Sequence, residues 1–418
     1  MNDRSPIPQA MQLGPLGAEA PLSETASMIL DSLQRYAQTV MRPIGTELDR
    51  MSLEAVAAAD SPYWEARRKF VELGFGIEAL LGFEPEERGK MMCLLFETLG
   101  WGDSGLAISF GAGMLPQYMS AVLGREDLFR QYPDGMLGCW GITEPDHGSD
   151  TLDPNRGIFH PQGQYGRPNC SARLDGDEVV VNGQKSAWVS NGTIAQVCVL
   201  YCATDTGTSL DPQRGCVVIV PMDAKGVSRG KPLDKLGQRA LNQGEIYFDN
   251  VRVPRSHLLA GPDEFQAAVK IIHTAANGLM GATFTGVARA AFELALDYAH
   301  ERKQGGVPII RHQSVAQRLF HMFRKVEASR ALTNRVVHYN FVSPEPALHA
   351  AMTAKVTGTQ TAFEVTSDAL QIFGGNGLTR EYPVEKLLRD ARASLIEDGC
   401  NEILAIKGGY ALMDPDRL

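Results

Sequence analysis

Along this chain the spacing of apolar and polar positions changes twice. From residue 23 to about 135 the pattern is mostly helical. Residues 63–73 mix apolar and charged side chains at helical spacing and stop at Gly74, which reads as a helix C-cap. Near Cys139 the texture turns to alternation and turn pairs. Glu178-Val179-Val180-Val181 followed by Asn182-Gly183 predicts a strand ending in a hairpin turn, and 196–201, 216–220 and 245–248 predict further strands. From about Gly261 helices return. Val287, Ala291, Leu294 and Tyr298 share one helical face, and Val315, Leu319, Met322 and Val326 repeat that spacing. A glycine-rich interruption at 373–377 precedes a last helical stretch after Gly399. The order helices, strands, helices predicts an α+β fold. A flexible arm at 1–22, carrying Pro6, Pro8, Pro15 and Pro21, leads into a helical N-terminal domain at 23–137. A β-barrel-like middle domain follows at 138–256. The region 257–418 has long amphipathic helices that a four-helix bundle would bury.

Composition narrows the classes of function. The chain has 418 residues, enough for two or three compact regions, and its 44% hydrophobic and 21% charged content is ordinary for a globular protein. Lys plus Arg total 40 against 49 Asp plus Glu, and the net charge of -9 with no dense basic run argues against nucleic acid as a partner. No uninterrupted apolar run nears the ~18 residues of a membrane span, and the start at 1–6 has no apolar signal core. The seven cysteines include no C-x-x-C pair. They read as buried thiols in a protein of the reducing cytoplasm. No metal is expected: H-E-x-x-H is absent and the histidines are scattered. Residues 74–79 match G-x-G-x-x-G/A, but a helix precedes them where a dinucleotide fold needs a strand. No Walker A sequence and no G-x-S-x-G elbow is present.

Four separated segments are more specific together. The first is Trp140-Gly141-Ile142-Thr143-Glu144-Pro145-Asp146-His147-Gly148-Ser149-Asp150. The second runs from Asn182-Gly183-Gln184-Lys185-Ser186-Ala187-Trp188 to Val189-Ser190-Asn191-Gly192. The third is Glu301-Arg302-Lys303-Gln304-Gly305-Gly306 with His312-Gln313. The fourth runs from Gln371-Ile372-Phe373-Gly374-Gly375-Asn376-Gly377 through Arg389-Asp390-Ala391-Arg392 to Glu397-Asp398-Gly399-Cys400-Asn401-Glu402. This set, in this order, resembles the acyl-CoA dehydrogenase flavoproteins over residues 25–410, nearly the whole chain.

The resemblance implies FAD between the β region and the C-terminal helices. Trp140, Ile142, Thr143, Gly148 and Ser149 would line the flavin ring, with Trp188 and Ser190 closing one side; donors there suit a ring that gains negative charge on reduction. Arg302 is a fixed cation for the diphosphate. Gln313 and Gln371 would supply amide bonds, and Gly374 and Gly375 would let backbone N–H groups approach phosphate. Cys400 and Glu402 complete the cofactor contacts. Ser149, Asn277 and Gly399 would touch the substrate. The family's shared cofactor site implies a homo-oligomer, a tetramer or a dimer, and an electron-transfer flavoprotein as electron acceptor.

Several positions depart from the family's pattern. The general base, usually Glu, is here Asp398, and Glu397 fills the usual aromatic position. Cys400 replaces a Thr, Ala276 cannot act as the alternative base, and Asn277 replaces an Arg. One residue more than usual precedes Trp188, and Gly305 stands where relatives often have Phe. Asp at the base position is similar to the cyclic acyl-CoA dehydrogenases and to nitroalkane oxidase. The activity implied is that of an FAD-dependent oxidoreductase. It would desaturate an acyl thioester, Asp398 taking the α-proton while the β-hydride passes to the flavin. The alternatives are a nitroalkane-oxidase-like flavoprotein oxidase and a flavin-binding homologue without redox turnover. Glu397 as a partner in the base role also stays open. Trp101, Phe110 and Met114 are candidates for the acyl pocket.

Overall fold

A computed structural model describes residues 22–152 and 166–413. All of the expected arm at 1–22 except residue 22 lies outside the described residues. Helix α1 (Glu24–Tyr36) starts at Ser23, whose hydroxyl accepts from the Ala26 N–H at 3.2 Å. It runs through a π-helical turn, Ala37–Met41, into α2 (Arg42–Arg50). Then come α3 (Leu53–Ala57), α4 (Pro62–Glu72), α5 (Ile77–Leu81), α6 (Pro85–Gly102), α7 (Ser104–Gly113), α8 (Leu115–Val122) and α9 (Glu126–Gln131). From Met91 to Gly102 every residue of α6 is buried. A helix apolar all round belongs in a core, and α6 packs against the long C-terminal helices as well as its own neighbours.

The sheet comprises β1 (Gly138–Gly141), β2 (Cys170–Asp175), β3 (Glu178–Lys185), β4 (Val197–Asp205), β5 (Leu210–Pro221), β6 (Val227–Arg229), β7 (Ile246–Pro254) and β8 (Leu258–Ala260). Its order is β6-β7-β3-β2-β4-β5-β8, with β1 paired in parallel to β4 beside β2. The period of two divides β4 between two cores. Cys198, Leu200 and Cys202 face an apolar interior with Cys139, Val181 and Val218. Val197, Val199 and Tyr201 face Leu115, Met119, Phe265 and Ile272 of the helices. The hairpin expected at Asn182-Gly183 is not there. β3 runs through both residues, and the β2–β3 turn falls at Gly176-Asp177, since Asp175 pairs with Glu178. Gly183, at φ 115°, instead marks a register shift in the β3–β7 ladder, and Asn182 Oδ1 accepts from the Asn250 N–H at 2.8 Å.

The C-terminal helices are α10 (Phe265–Glu301), α11 (Gln313–Val342), α12 (Leu348–Phe373), α13 (Val384–Ser394) and α14 (Asn401–Met413). A short ribbon, β9 (Lys303–Gln304) and β10 (Val307–Pro308), joins α10 to α11. α10, α11 and α12 pack on one another and α13 lies on α12. The backbones of α10 and α12 touch at glycines: a Cβ on Gly358 would stand 2.4 Å from the Gly281 carbonyl oxygen. α10 has an 18-residue window apolar enough to cross a membrane, but 78% of that window is buried inside the protein, which makes α10 a core helix. The seven cysteines are free thiols, and all but Cys400 are buried.

Candidate active site

Asp398 stands in the connection from α13 to α14, and its backbone takes the left-handed conformation at φ 51°. A non-glycine residue there needs outside support. Four consecutive residues are each held from a different element. The Gln238 Nε2 donates to Glu397 Oε1 at 2.6 Å, and the Asn277 Nδ2 donates to the Asp398 carbonyl at 3.1 Å. The Lys355 ammonium donates to the Gly399 carbonyl at 2.8 Å, and the Cys400 N–H donates to Ser149 Oγ at 3.2 Å. Lys355 also donates to Asn401 Oδ1 at 2.8 Å. Gln238 is itself buried, and both its amide and the Lys386 ammonium meet residue Asp390.

Asp398 lines a chamber of about 110 Å³ whose wall is otherwise free of charged side chains. Met92 and Phe96 come from α6, Ile108, Gly111 and Ala112 from α7, and Leu115 and Tyr118 from α8. Ile272, Ala275, Ala276, Leu279, Met280 and Thr283 come from α10; Met114, Trp140, Ser190, Ile77 and Phe341 complete the wall. Burial in this setting raises the Asp398 carboxyl above the usual range, and the Lys355 charge opposes the rise. Glu397 is pushed up to about 7, first by burial and then by the neighbouring Asp398. Glu397 does not line the chamber.

The first two sequence segments are laced together. The Lys185 ammonium donates to the Ile142 carbonyl at 3.1 Å and pairs with Glu144 at 2.6 Å. The Thr143 and Ser186 hydroxyls are 2.8 Å apart. Gly148 donates its N–H to Asp150 Oδ1 at 2.6 Å. Trp140 and Ser190 meet Asp398 at the chamber, whereas Trp188 is 61% exposed and does not line it. Asn277, expected at the substrate, is 1% exposed and no part of the wall. Its Nδ2 donates to the Asp398 carbonyl, and its buried Oδ1 has no partner among the described residues. Of the acyl-pocket candidates only Met114 lines the chamber. Trp101 lies under the Arg42 guanidinium at 3.3 Å and donates to Glu293, and Phe110 is fully buried against Phe70.

Arg302, Gln371, Gly374 and Gly375 line a second, polar cleft of about 600 Å³, with His312 and Arg318. Arg302 is exposed, with no side-chain partner among the described residues. A Cβ on Gly374 or Gly375 would meet nothing within 4 Å, so the backbone there is open to a ligand. A free guanidinium, an amide and bare backbone fit the diphosphate of a dinucleotide. Gln313 opens α11 at the surface and is not part of the cleft wall; Glu402, in the first turn of α14, is exposed. Sequence reading missed Lys355, Gln238, Ile77 and Phe341. Each is brought in by tertiary packing from a segment with no chemical motif of its own.

A helix–sheet–helix chain here places a single charged side chain, Asp398, on the wall of an apolar chamber. Residues 139–251 match the family model described as the acyl-CoA dehydrogenase middle domain, and 274–411 match that of the C-terminal domain. The chain belongs to the acyl-CoA dehydrogenase family, whose cofactor is FAD. It is 28% identical over 394 residues to the short-chain specific acyl-CoA dehydrogenase of Bos taurus mitochondria, covering 91% of this chain and 88% of the bovine protein. It is also 28% identical over 410 residues to cyclohex-1-ene-1-carbonyl-CoA dehydrogenase of Geobacter metallireducens, covering 94% and 99%. The solved glutaryl-coenzyme A dehydrogenase in complex with glutaryl-CoA superposes with a TM-score of 0.82 at 26% identity, over 94% of this chain and 96% of that one.

Proposed function

We propose that the protein is an FAD-dependent acyl-CoA dehydrogenase that desaturates an uncharged, apolar acyl thioester, with Asp398 as the base. The observation that carries this is the position of Asp398 as the one charged side chain on the chamber wall. The acyl group enters an environment that rewards hydrocarbon, and its α-carbon comes beside the carboxylate. A carboxylate with a raised pKa is a stronger base, and it must come within about 3 Å of the proton it takes. The negative charge that grows on the thioester oxygen needs a donor. The Asp398 N–H has no partner among the described residues and is available for that role. The Asn277 amide holds the same peptide by its carbonyl, which fixes the direction of both N–H and carboxylate.

Arg302, Gln371, Gly374 and Gly375 would hold the FAD diphosphate, and Trp140, Thr143, Ser149 and Ser190 would approach its ring. FAD supplies the acceptor for the β-hydride. The cleft with Arg302 and the chamber with Asp398 share no wall residue, which suits a cofactor shared between two copies of the chain. An electron-transfer flavoprotein then takes the electrons onward. The chamber wall has no cation, so a dicarboxylic acyl group finds no counter-charge there.

The test is anaerobic titration of the purified protein with butanoyl-, isobutanoyl-, cyclohexanecarbonyl- and glutaryl-CoA while flavin absorbance is followed. Bleaching by one of the first three and none by glutaryl-CoA is expected. Asp398→Asn should slow bleaching at least ~100-fold, the scale of a positioned base, and keep its flavin. Bleaching of that variant at the wild-type rate, or bleaching by nitroethane alone, overturns the reading.

A further inference from the structure

Lys185, Lys355 and Lys386 are the buried lysines among the described residues. Two of them are paired in the ordinary way: Lys185 meets Glu144 at 2.6 Å, and Lys386 meets Asp103 and Asp390 at 2.6 Å each. Lys355, 0% exposed, has no carboxylate within ion-pair distance. Its ammonium donates only to the Gly399 carbonyl and to Asn401 Oδ1, neutral acceptors on either side of Cys400. A buried cation without a counter-ion is expensive unless negative charge stands nearby. The base loop supplies it.

We propose that Lys355 is the counter-charge of the Asp398 base, a positioning residue that keeps the carboxylate ionised in an apolar chamber. This rests on the reading of Asp398 as the base. From α12 Lys355 holds the Gly399 carbonyl, one residue beyond Asp398, and the acidic groups acting on its charge are Asp398, Glu397 and Cys400 of that loop and Glu402 of α14. Lys235, from the connection between β6 and β7, lies behind Glu397. α7 and α10 contribute apolar wall and Asn277. Removing water from Asp398 favours the protonated form, which cannot take a proton. Lys355 is the one cation acting directly on Asp398 against that tendency. The influence is mutual: burial pulls the Lys355 ammonium down to about 8, and Asp398 and Glu397 pull the other way.

The test is the pH dependence of flavin reduction by the fastest of the three apolar acyl-CoAs, with Lys355→Met against wild type. Loss of an adjacent opposite charge should move the acid limb up by ~1–2 pH units. The rate at pH 7 should fall and recover at higher pH, and Lys355→Arg should restore the wild-type limb. Carbodiimide labelling of Asp398, read by peptide mass spectrometry across pH, should shift by the same amount. Asn401→Ala keeps the charge and loses the tether, so it should lower the rate and leave the limb in place. Lys355→Gln removes the charge and keeps a polar side chain beside the Gly399 carbonyl and Asn401, and should move the limb up in the same way even if Lys355→Met does not fold. A limb unmoved by Lys355→Met or by Lys355→Gln overturns the proposal. So does one that Asn401→Ala moves as far as Lys355→Met. Asp398→Asn separates the two failures, because it tests the base whatever Lys355 does.

Discussion

At Glu397 and Asp398 the chain spends two adjacent acidic residues on different tasks. Asp398 lines the chamber, whereas Glu397 takes the Gln238 amide and stays behind the wall. A pKa near 7 for Glu397 has a consequence for stability. Its folded-state value lies above the ordinary 4.5, so the native fold favours its proton. The stability linked to that proton is fully present below about pH 4.5 and is lost as pH rises to about 7. Glu397→Gln should therefore raise Tm at pH 8 and leave it nearly unchanged at pH 4.5, by thermal scans at both values. An equal Tm change at the two pH values would contradict the linkage. The position of Asp398 could be counted from Arg389-Asp390 forward and from Gly399 backward. Its support could not: Lys355 and Asn277 lie in ordinary helical sequence, and only the packed helices bring them to the loop.

Among the elements, the helices announced themselves by spacing. Val287, Ala291, Met322 and Val326 occupy one buried cluster, as their period requires. The pair Asn182-Gly183 misled because its turn preference is local, whereas β3 is fixed by partners on both sides, β2 and β7. Tertiary pairing overrode a dipeptide signal. The contact of α10 with α12 was equally illegible, since glycines within a helix look only like weak helix formers. Their role appears in the 2.4 Å gap a methyl at Gly358 would have to share with the Gly281 carbonyl. Gly358→Ala should push the two helices apart and cost about 1–3 kcal/mol in urea denaturation. Because Lys355 lies one turn away on α12, the same variant should slow flavin reduction even where it is folded.

At the scale of the whole molecule, the four sequence segments divide between two places. Trp140, Ser190 and Asp398 gather at the chamber; Arg302, Gln371, Gly374 and Gly375 gather at the cleft. The order of segments was legible because each is a compact motif. The division was not, because it depends on how the β9–β10 ribbon turns at the end of α10. Arg302→Ala should weaken FAD binding by ~10–100-fold, the value of a lost charge-assisted bond, measured by flavin release on dilution. Unchanged retention would remove Arg302 from the cofactor site. The holding of residues 397–400 has a last consequence. Gln238 comes from the strand region, Asn277 and Lys355 from two C-terminal helices, and Ser149 from the segment after β1. No single stretch of the polypeptide can set the aim of Asp398 by itself. A nicked or half-assembled chain that keeps its helices and sheet still loses that aim, so turnover doubles as a reporter of complete assembly.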